Sequence, residues 1–283
     1  MSSRTRAELL LFSITFIWGS TFVVSKYLLS FVTPLVYIAV RFAIAALIFA
    51  AIFFRRVKGM TRSSLLKGGI LGGLLFFGFA TQMIGLQYTS ASKSAFITGM
   101  MVVFTPICQL VIERRAPKLG NIIGVVLVTF GLYLLTSLAG AEFNLGDGLN
   151  LLCAVSFALY IVYLDIFSKE ADSAQLTLMQ FITCAVLGAV TSGFFENAVF
   201  TVSNQSLLAL GYLIVFATII AIYVQVRFQK DTTPTRSAII FSIEPVIAAT
   251  IAYFALGEVI GIIGIAGGGL IVAGLLVSEL SPA

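Results

Sequence analysis

The sequence predicts an all-α membrane protein: ten transmembrane helices in two inverted five-helix repeats, with both termini in the cytoplasm (N-in, C-in). Three observations predict it: the length of the apolar runs, the placement of the basic residues, and a match of the second half to the first. Of 283 residues, 59% are hydrophobic and only 10% charged, with a mean hydropathy of +1.08. A soluble domain carries about 25% charged residues. Nearly every apolar run is about 20 residues long, enough to cross a bilayer as a helix.

In chain order the ten segments fall near residues 8–29, 34–54, 65–87, 93–113, 119–138, 148–168, 174–195, 206–227, 236–256 and 259–279. The first follows Arg4 and Arg6 as the core of a signal peptide would. It is too long for one, however, and no small-x-small site closes it, so it reads as a helix that stays. The connections are short, which favours antiparallel neighbours. With the N-terminus inside, every basic residue except Lys26, Arg41 and Lys93 lies on the inner side, and the outer loops AGAEFNLGD and FENAVFTVSNQ carry none. That is the asymmetry expected of cytoplasmic loops.

The second half then repeats the first. TSASKSAFITGMM from Thr89 matches TTPTRSAIIFSIE from Thr232, a shift of 143 residues (232 − 89) that keeps Lys93 with Arg236 and Ser94-Ala95 with Ser237-Ala238. The same shift pairs Gln82 with Gln225, Gly124 with Gly267 and Gly131 with Gly274, and a shift of 139 lays RFAIAAL at Arg41 over QFITCAV at Gln180. The repeats are residues 1–140 and 141–283. Because five is odd, the two halves enter the membrane with opposite orientation. Such repeats characterise secondary transporters, whose substrate site lies near mid-membrane between the halves.

Composition narrows the chemistry. Histidine is absent, which removes Ser–His catalysis and His-ligated metals, and Cys108, Cys153 and Cys184 sit inside apolar runs without zinc-like spacing. No enzymatic activity, cofactor, metal or disulfide framework is expected. There is no pair of membrane aspartates for an aspartyl protease, since Asp165 lies near a helix end, and no ring of charge or filter loop marks a channel. The net charge of +5 comes from short loops beside membrane segments and does not imply a nucleic-acid partner. The expected partners are the lipid bilayer and a small-molecule substrate, with the chain a monomer or homodimer.

The costliest residue is Glu244, eight positions past Arg236 in RSAIIFSIEPVIAATIAYFALGE. A carboxylate at that depth faces a polar cavity or a partner. Pro245 follows and removes a backbone N–H, so the pair either shapes a kink or borders a cavity. Polar residues on shared helix faces mark a possible pathway. In the fourth helix these are Ser94, Thr98, Met101, Thr105 and Gln109; in the sixth, Cys153, Ser156, Tyr160 and Tyr163; in the ninth, Ser237, Phe241 and Glu244. Any single Ser or Thr reads first as a hydrogen bond between helices, and the three stripes jointly read as the pathway. Gln82 and Gln225 are expected to face inward, with Tyr223 as an aromatic wall.

The stretches FIWGSTFVVSK, VRFAIAAL, LQYTSASKSAFI, IEPVIAATIAYFALGE and GIIGIAGGGLIVAGLL together resemble the drug/metabolite transporter superfamily in its ten-helix form with two EamA-type repeats. The resemblance covers essentially the whole chain. It departs in the first repeat, where Pro106 is followed by VIERRAP instead of the usual Gly-Glu spacing, so the fourth and ninth helices need not be symmetric. It implies that the first helix borders a central cavity, with Trp18 either a stacking surface there or a packing residue. It implies a structural role for Arg41: bonding carbonyls or a helix end, or snorkelling outward. Lys26, near the outer end of its helix, is expected to snorkel. It also places the fifth and tenth helices at the periphery, where Gly120-x-x-x-Gly124, Gly257-x-x-x-Gly261 and Gly264-x-x-x-Gly268 serve packing or dimerisation.

The function expected is a cell-membrane (inner or plasma membrane) secondary transporter that exports small amphiphilic metabolites, amino acids first, by alternating access. Trp18, Gln82, Thr98, Met101, Thr105, Ser156, Tyr160, Tyr163, Tyr223, Gln225 and Phe241 are the candidate substrate-binding residues. Glu244 is the coupling or proton candidate and Arg41 a structural charge. The alternative is a multidrug exporter of lipophilic cations, against which the first helix has no acidic residue beyond Glu8.

Overall fold

An apolar segment inside a membrane can satisfy its backbone only within itself, as a helix. Helices form at all ten predicted places in the computed structural model, which describes residues 2–137, 143–257 and 261–280. The repeat boundary at 140/141, part of the loop AGAEFNLGD, and Glu258 lie outside the described residues. The helices are Ser3–Leu28, Pro34–Ile52, Arg62–Tyr88, Ala91–Glu113, Leu119–Ser137, Leu145–Glu170, Ser173–Phe195, Asn204–Asp231, Pro234–Leu256 and Ile262–Leu280. They are called first to tenth below. Eight are long and apolar enough to cross a membrane, and the fifth and tenth contain the shorter apolar stretches Leu119–Leu134 and Ile262–Val277. Large apolar side chains such as Leu47, Val111, Phe194 and Phe254 cover the outside of the bundle, where a bilayer would solvate them. The chain folds as an all-helical, multi-pass membrane protein.

The helix starts are written in the sequence. Ser2, Thr61, Ser90, Asn144, Asp172, Ser203 and Thr233 each accept a backbone N–H from the first turn of the helix that follows. Pro34 and Pro234 occupy first-turn positions, where a missing N–H is harmless. The second helix borrows a cap from far away: Glu196, at the end of the seventh, accepts from the Leu35 and Val36 N–H groups at 3.1 and 3.4 Å. Beside it the two connecting loops pair as Val32 with Phe200.

Two pairs of equivalent helices, the second with the seventh and the fifth with the tenth, pack antiparallel across the two halves. In the second and seventh, a Cβ on Gly188 would lie 2.9 Å from the Ala39 backbone nitrogen, while further along Phe181 meets Phe49 ring to edge at 5.6 Å. In the fifth and tenth, a Cβ on Gly131 would lie 2.6 Å from the Gly267 carbonyl oxygen, and one on Gly274 would lie 2.7 Å from that of Gly124. These are the four glycines that the 143-residue shift pairs, and here they close one crossing inside a single chain. Backbone cannot yield as a side chain can. Gly131→Leu is therefore expected to lower stability by about 1–3 kcal/mol or more, read as a fall in melting temperature of the detergent-solubilised protein. Gly269→Leu, where an added Cβ meets nothing within 4 Å, should change it little.

The fourth and ninth helices are each broken. Helical geometry stops at Gly99 and resumes at Met101, and stops at Phe241 and resumes at Glu244. The turn residues Met100 and Ile243 are equivalent under the shift of 143, and each carbonyl accepts an i+3 N–H, from Val103 at 2.9 Å and from Val246 at 3.0 Å. The missing proline pattern in the first repeat thus leaves the symmetry of the break intact. The pieces meet there: a Cβ on Gly99 would lie 2.8 Å from the Pro245 ring. In the eighth helix, Leu213–Ile220 widens into a π-helix.

Candidate functional site

A narrow central cavity lies where these interruptions meet, lined by residues of both halves. Twelve of its lining residues form six pairs related by the repeat shifts. At 139 they are Trp18 with Phe157 and Thr21 with Tyr160; at 143, Phe79 with Ile222, Gln82 with Gln225, Thr98 with Phe241, and Met101 with Glu244. Arg41, Leu75 and Ile161 complete the wall. The cavity therefore draws on matching positions of both halves. Its chemistry is asymmetric: one member of the last pair is a thioether and the other a carboxylate.

The irregular backbone serves this centre. In the π-helical turn the Ala217 carbonyl accepts the Trp18 indole N–H at 3.1 Å, and the Trp18 ring meets Phe241 edge to face with centroids 5.3 Å apart. Thr218, next along, donates to the Leu213 carbonyl at 2.8 Å and accepts from Arg41 Nε at 2.6 Å. Such bulges often accompany functional sites because they turn backbone and hydroxyl groups inward. Gln82 Nε2 donates to Thr98 Oγ1 at 3.3 Å, Gln225 Nε2 donates to Gln229 Oε1 at 2.9 Å, and the Tyr160 hydroxyl donates to Gln180 Oε1 at 2.8 Å.

Two charges border the cavity. Arg41 is only 1% exposed, so it meets the space with an edge. Nε and Nη1 donate to the Thr218 and Tyr37 hydroxyls, both at 2.6 Å, and the guanidinium carbon lies 5.0 Å from the Phe79 ring centre. It neither snorkels nor bonds carbonyls, because hydroxyls and aromatic faces reach it inside the bundle. Glu244 is half-buried at the start of the second piece of the ninth helix. Among the described residues Arg41 and Glu244 make no ion pair, with each other or with any other group. Lys26 does not snorkel either: its ammonium donates to the Leu86 and Thr89 carbonyls at 2.6 and 2.8 Å, closing the end of the third helix.

Of the residues the sequence proposed for substrate binding, Trp18, Gln82, Thr98, Met101, Tyr160, Gln225 and Phe241 are brought together at the cavity, with Glu244 and Arg41. Thr105, Ser156, Tyr163 and Tyr223 are not. Thr105 donates back to the Met101 carbonyl at 2.7 Å, beyond the break at Met100 that ends the face on which the spacing placed it. Ser156 donates to the Leu74 carbonyl at 2.7 Å, joining the sixth helix to the third. Tyr163 packs on Phe167 with centroids 5.6 Å apart. Tyr223 lies between Phe49 and Phe53 and its hydroxyl accepts from Arg56 at 3.2 Å, because two residues along a helix from Gln225 points away from it. Thr21, Leu75, Phe79, Phe157, Ile161 and Ile222 were missed. The repeat register would have found Thr21 and Phe157, as the mates of Tyr160 and Trp18.

The model of the EamA-like transporter family matches residues 5–137 and again residues 144–280. The chain belongs to the EamA-like transporter family. Among relatives of this EamA-like transporter, an uncharacterized transporter of Archaeoglobus fulgidus is 31% identical over 277 residues, covering 98% of this chain and 87% of the relative. The uncharacterized transporter YyaM of Bacillus subtilis is 26% identical, covering 92% of this chain and 89% of its own. The protein PagO of Salmonella typhimurium is 23% identical over 89% and 86%. A protein of known crystal structure shares the fold with a TM-score of 0.81 at 18% identity, over 98% of this chain and 97% of that one. The family and the transporter relatives mark the chain as a membrane transporter and not an enzyme.

Proposed function

We propose that this EamA-like transporter is a cell-membrane exporter of small zwitterionic metabolites, amino acids first. It works by alternating access between two inverted repeats, with both termini in the cytoplasm. The observation that carries the reading is the pair of charges on one apolar cavity: a guanidinium edge at Arg41 and a carboxylate at Glu244, unpaired with each other. Burying isolated charges is unfavourable unless something pairs with them. A ligand with a carboxylate for Arg41 and an ammonium for Glu244 neutralises both, and the Trp18, Phe79, Phe157 and Phe241 rings accept its apolar body. The antiparallel helix pairs and the symmetric lining support the inverted arrangement, in which the halves rock about a fixed central site.

The test is end-group specificity. Counterflow is expected for an amino acid and expected to fall at least about tenfold, or 1.4 kcal/mol, for its amide and its N-acetyl derivative. Equal counterflow for all three would contradict the two-point reading. The second reading, export of lipophilic cations, draws on Glu244 and the aromatic wall. Arg41 on the same cavity opposes it by repulsion. Protection of cells against such cations in growth assays would favour it over the first.

A further inference from the structure

The cavity is flanked by two ion-pair constellations that the sequence repeat relates to one another. Near the start of the first helix, Glu8 Oε1 accepts from Arg236 Nε at 3.0 Å, from Thr232 Oγ1 at 2.9 Å and from Arg4 Nε at 2.9 Å. Near the start of the sixth, Asp147 Oδ2 accepts from Lys93 Nζ at 2.7 Å and Oδ1 from Thr89 Oγ1 at 3.2 Å. The shift of 143 carries Thr89 onto Thr232 and Lys93 onto Arg236, and the shift of 139 carries Glu8 onto Asp147. In each constellation the carboxylate belongs to the first helix of one half and the cation to the fourth helix of the other, with the hydroxyl in the turn just before that fourth helix. Both pairs are buried, with side-chain exposures of 6% and 12% for Arg236 and Glu8, and of 8% and 0% for Lys93 and Asp147.

We propose that these two constellations are the two gates of the carrier, Glu8–Arg236 on the cytoplasmic side and Asp147–Lys93 on the outer side, opened one at a time. The repeats run in opposite directions, so the starts of the first and sixth helices lie at opposite ends of the cavity. Opening an end means parting the first helix from the ninth, or the sixth from the fourth, and each parting breaks one constellation. A buried ion pair has two favourable states, paired in a dry contact or separately hydrated, and a halfway state is poor because a charge loses its partner before water replaces it. That makes each gate two-state. Because the constellations are equivalent, the inward-open and outward-open forms remain close in free energy, which a cycling carrier requires. Both gates are paired in this structure.

The inference rests on the alternating-access reading, but its test needs no knowledge of the solute. A reporter Thr98→Cys on the cavity wall, with the native cysteines replaced by serine, is labelled by a membrane-impermeant thiol reagent in right-side-out and in inside-out vesicles. Glu8→Gln is expected to shift the ratio of cytoplasmic to outer labelling upward, and Asp147→Asn downward, each by about tenfold. Wild-type reporter reached from one side only would overturn alternating access. Labelling from both sides that neither variant shifts, or that both shift in one direction, would overturn the gates alone. Should a neutralised variant fail to accumulate, cross-linking of Glu8→Cys to Thr232→Cys decides. Locking that end is expected to abolish cytoplasmic labelling while outer labelling persists, and unaltered cytoplasmic labelling of the cross-linked protein would overturn the proposal.

Discussion

In proteoliposomes carrying the Glu244→Gln variant, transport driven by an imposed pH gradient is expected to fall to the level of empty liposomes, while substrate-for-substrate exchange continues. The expectation follows from where the carboxylate stands. It lines the central cavity, half-buried, and no cation or hydrogen-bond donor among the described residues reaches it. A carboxylate so placed is neutralised in one of two ways, by a proton or by a positively charged group of the solute. If one arrives as the other leaves, the two fluxes are coupled. Glutamine keeps the shape and one oxygen acceptor but neither the titratable proton nor the charge that meets the solute's ammonium, so exchange survives at a raised KM and coupling does not. Unchanged dependence on the pH gradient in the variant would remove Glu244 as the proton site.

Arg41→Lys is expected to reduce counterflow by at least about tenfold, chiefly by raising KM, while the protein remains folded. The guanidinium makes two directed bonds, to Thr218 on the π-helical turn and to Tyr37 one turn away on its own helix, and it faces the Phe79, Phe42 and Tyr37 rings. An ammonium is a compact, strongly hydrated charge and does not reproduce a planar fork between hydroxyls and aromatic faces. Each bond from a charged group is worth about 1.5–3 kcal/mol, so Arg41→Leu should also lower the melting temperature. The lysine variant separates the two roles, since it keeps the charge and loses the geometry. Wild-type counterflow in Arg41→Lys would return Arg41 to a purely structural part.

The helices were legible because nothing in their sequence competes with a membrane-length helix, and the caps at Asn144, Asp172 and Thr233 are ordinary N-cap residues. The repeat register was legible too, and it reached further than its first use. Applied to Trp18 and Tyr160 it names Phe157 and Thr21, which helical spacing alone did not. Spacing failed at the interruptions. The break at Met100 has no proline to announce it, and it ends the face that Thr98 and Thr105 would share on an unbroken helix. The π-helical turn at Leu213–Ile220 is equally silent, a largely apolar run whose Ala217 and Thr218 meet Trp18 and Arg41. Lys26 and Arg41 show the same limit for charges. Distance to the membrane surface predicts snorkelling, whereas carbonyls of Leu86 and Thr89, and hydroxyls of Tyr37 and Thr218, lie closer at hand.

The central claim, a carrier whose midpoint cavity binds a zwitterion, is tested most directly by counterflow in proteoliposomes preloaded with single unlabelled amino acids and supplied with a labelled pool. Saturable stimulation by a subset, strongest for amino acids with apolar or aromatic side chains that fit against Trp18 and Phe157, is the predicted result. No stimulation by any amino acid from folded, reconstituted protein would contradict the claim and turn the search to cations or sugars.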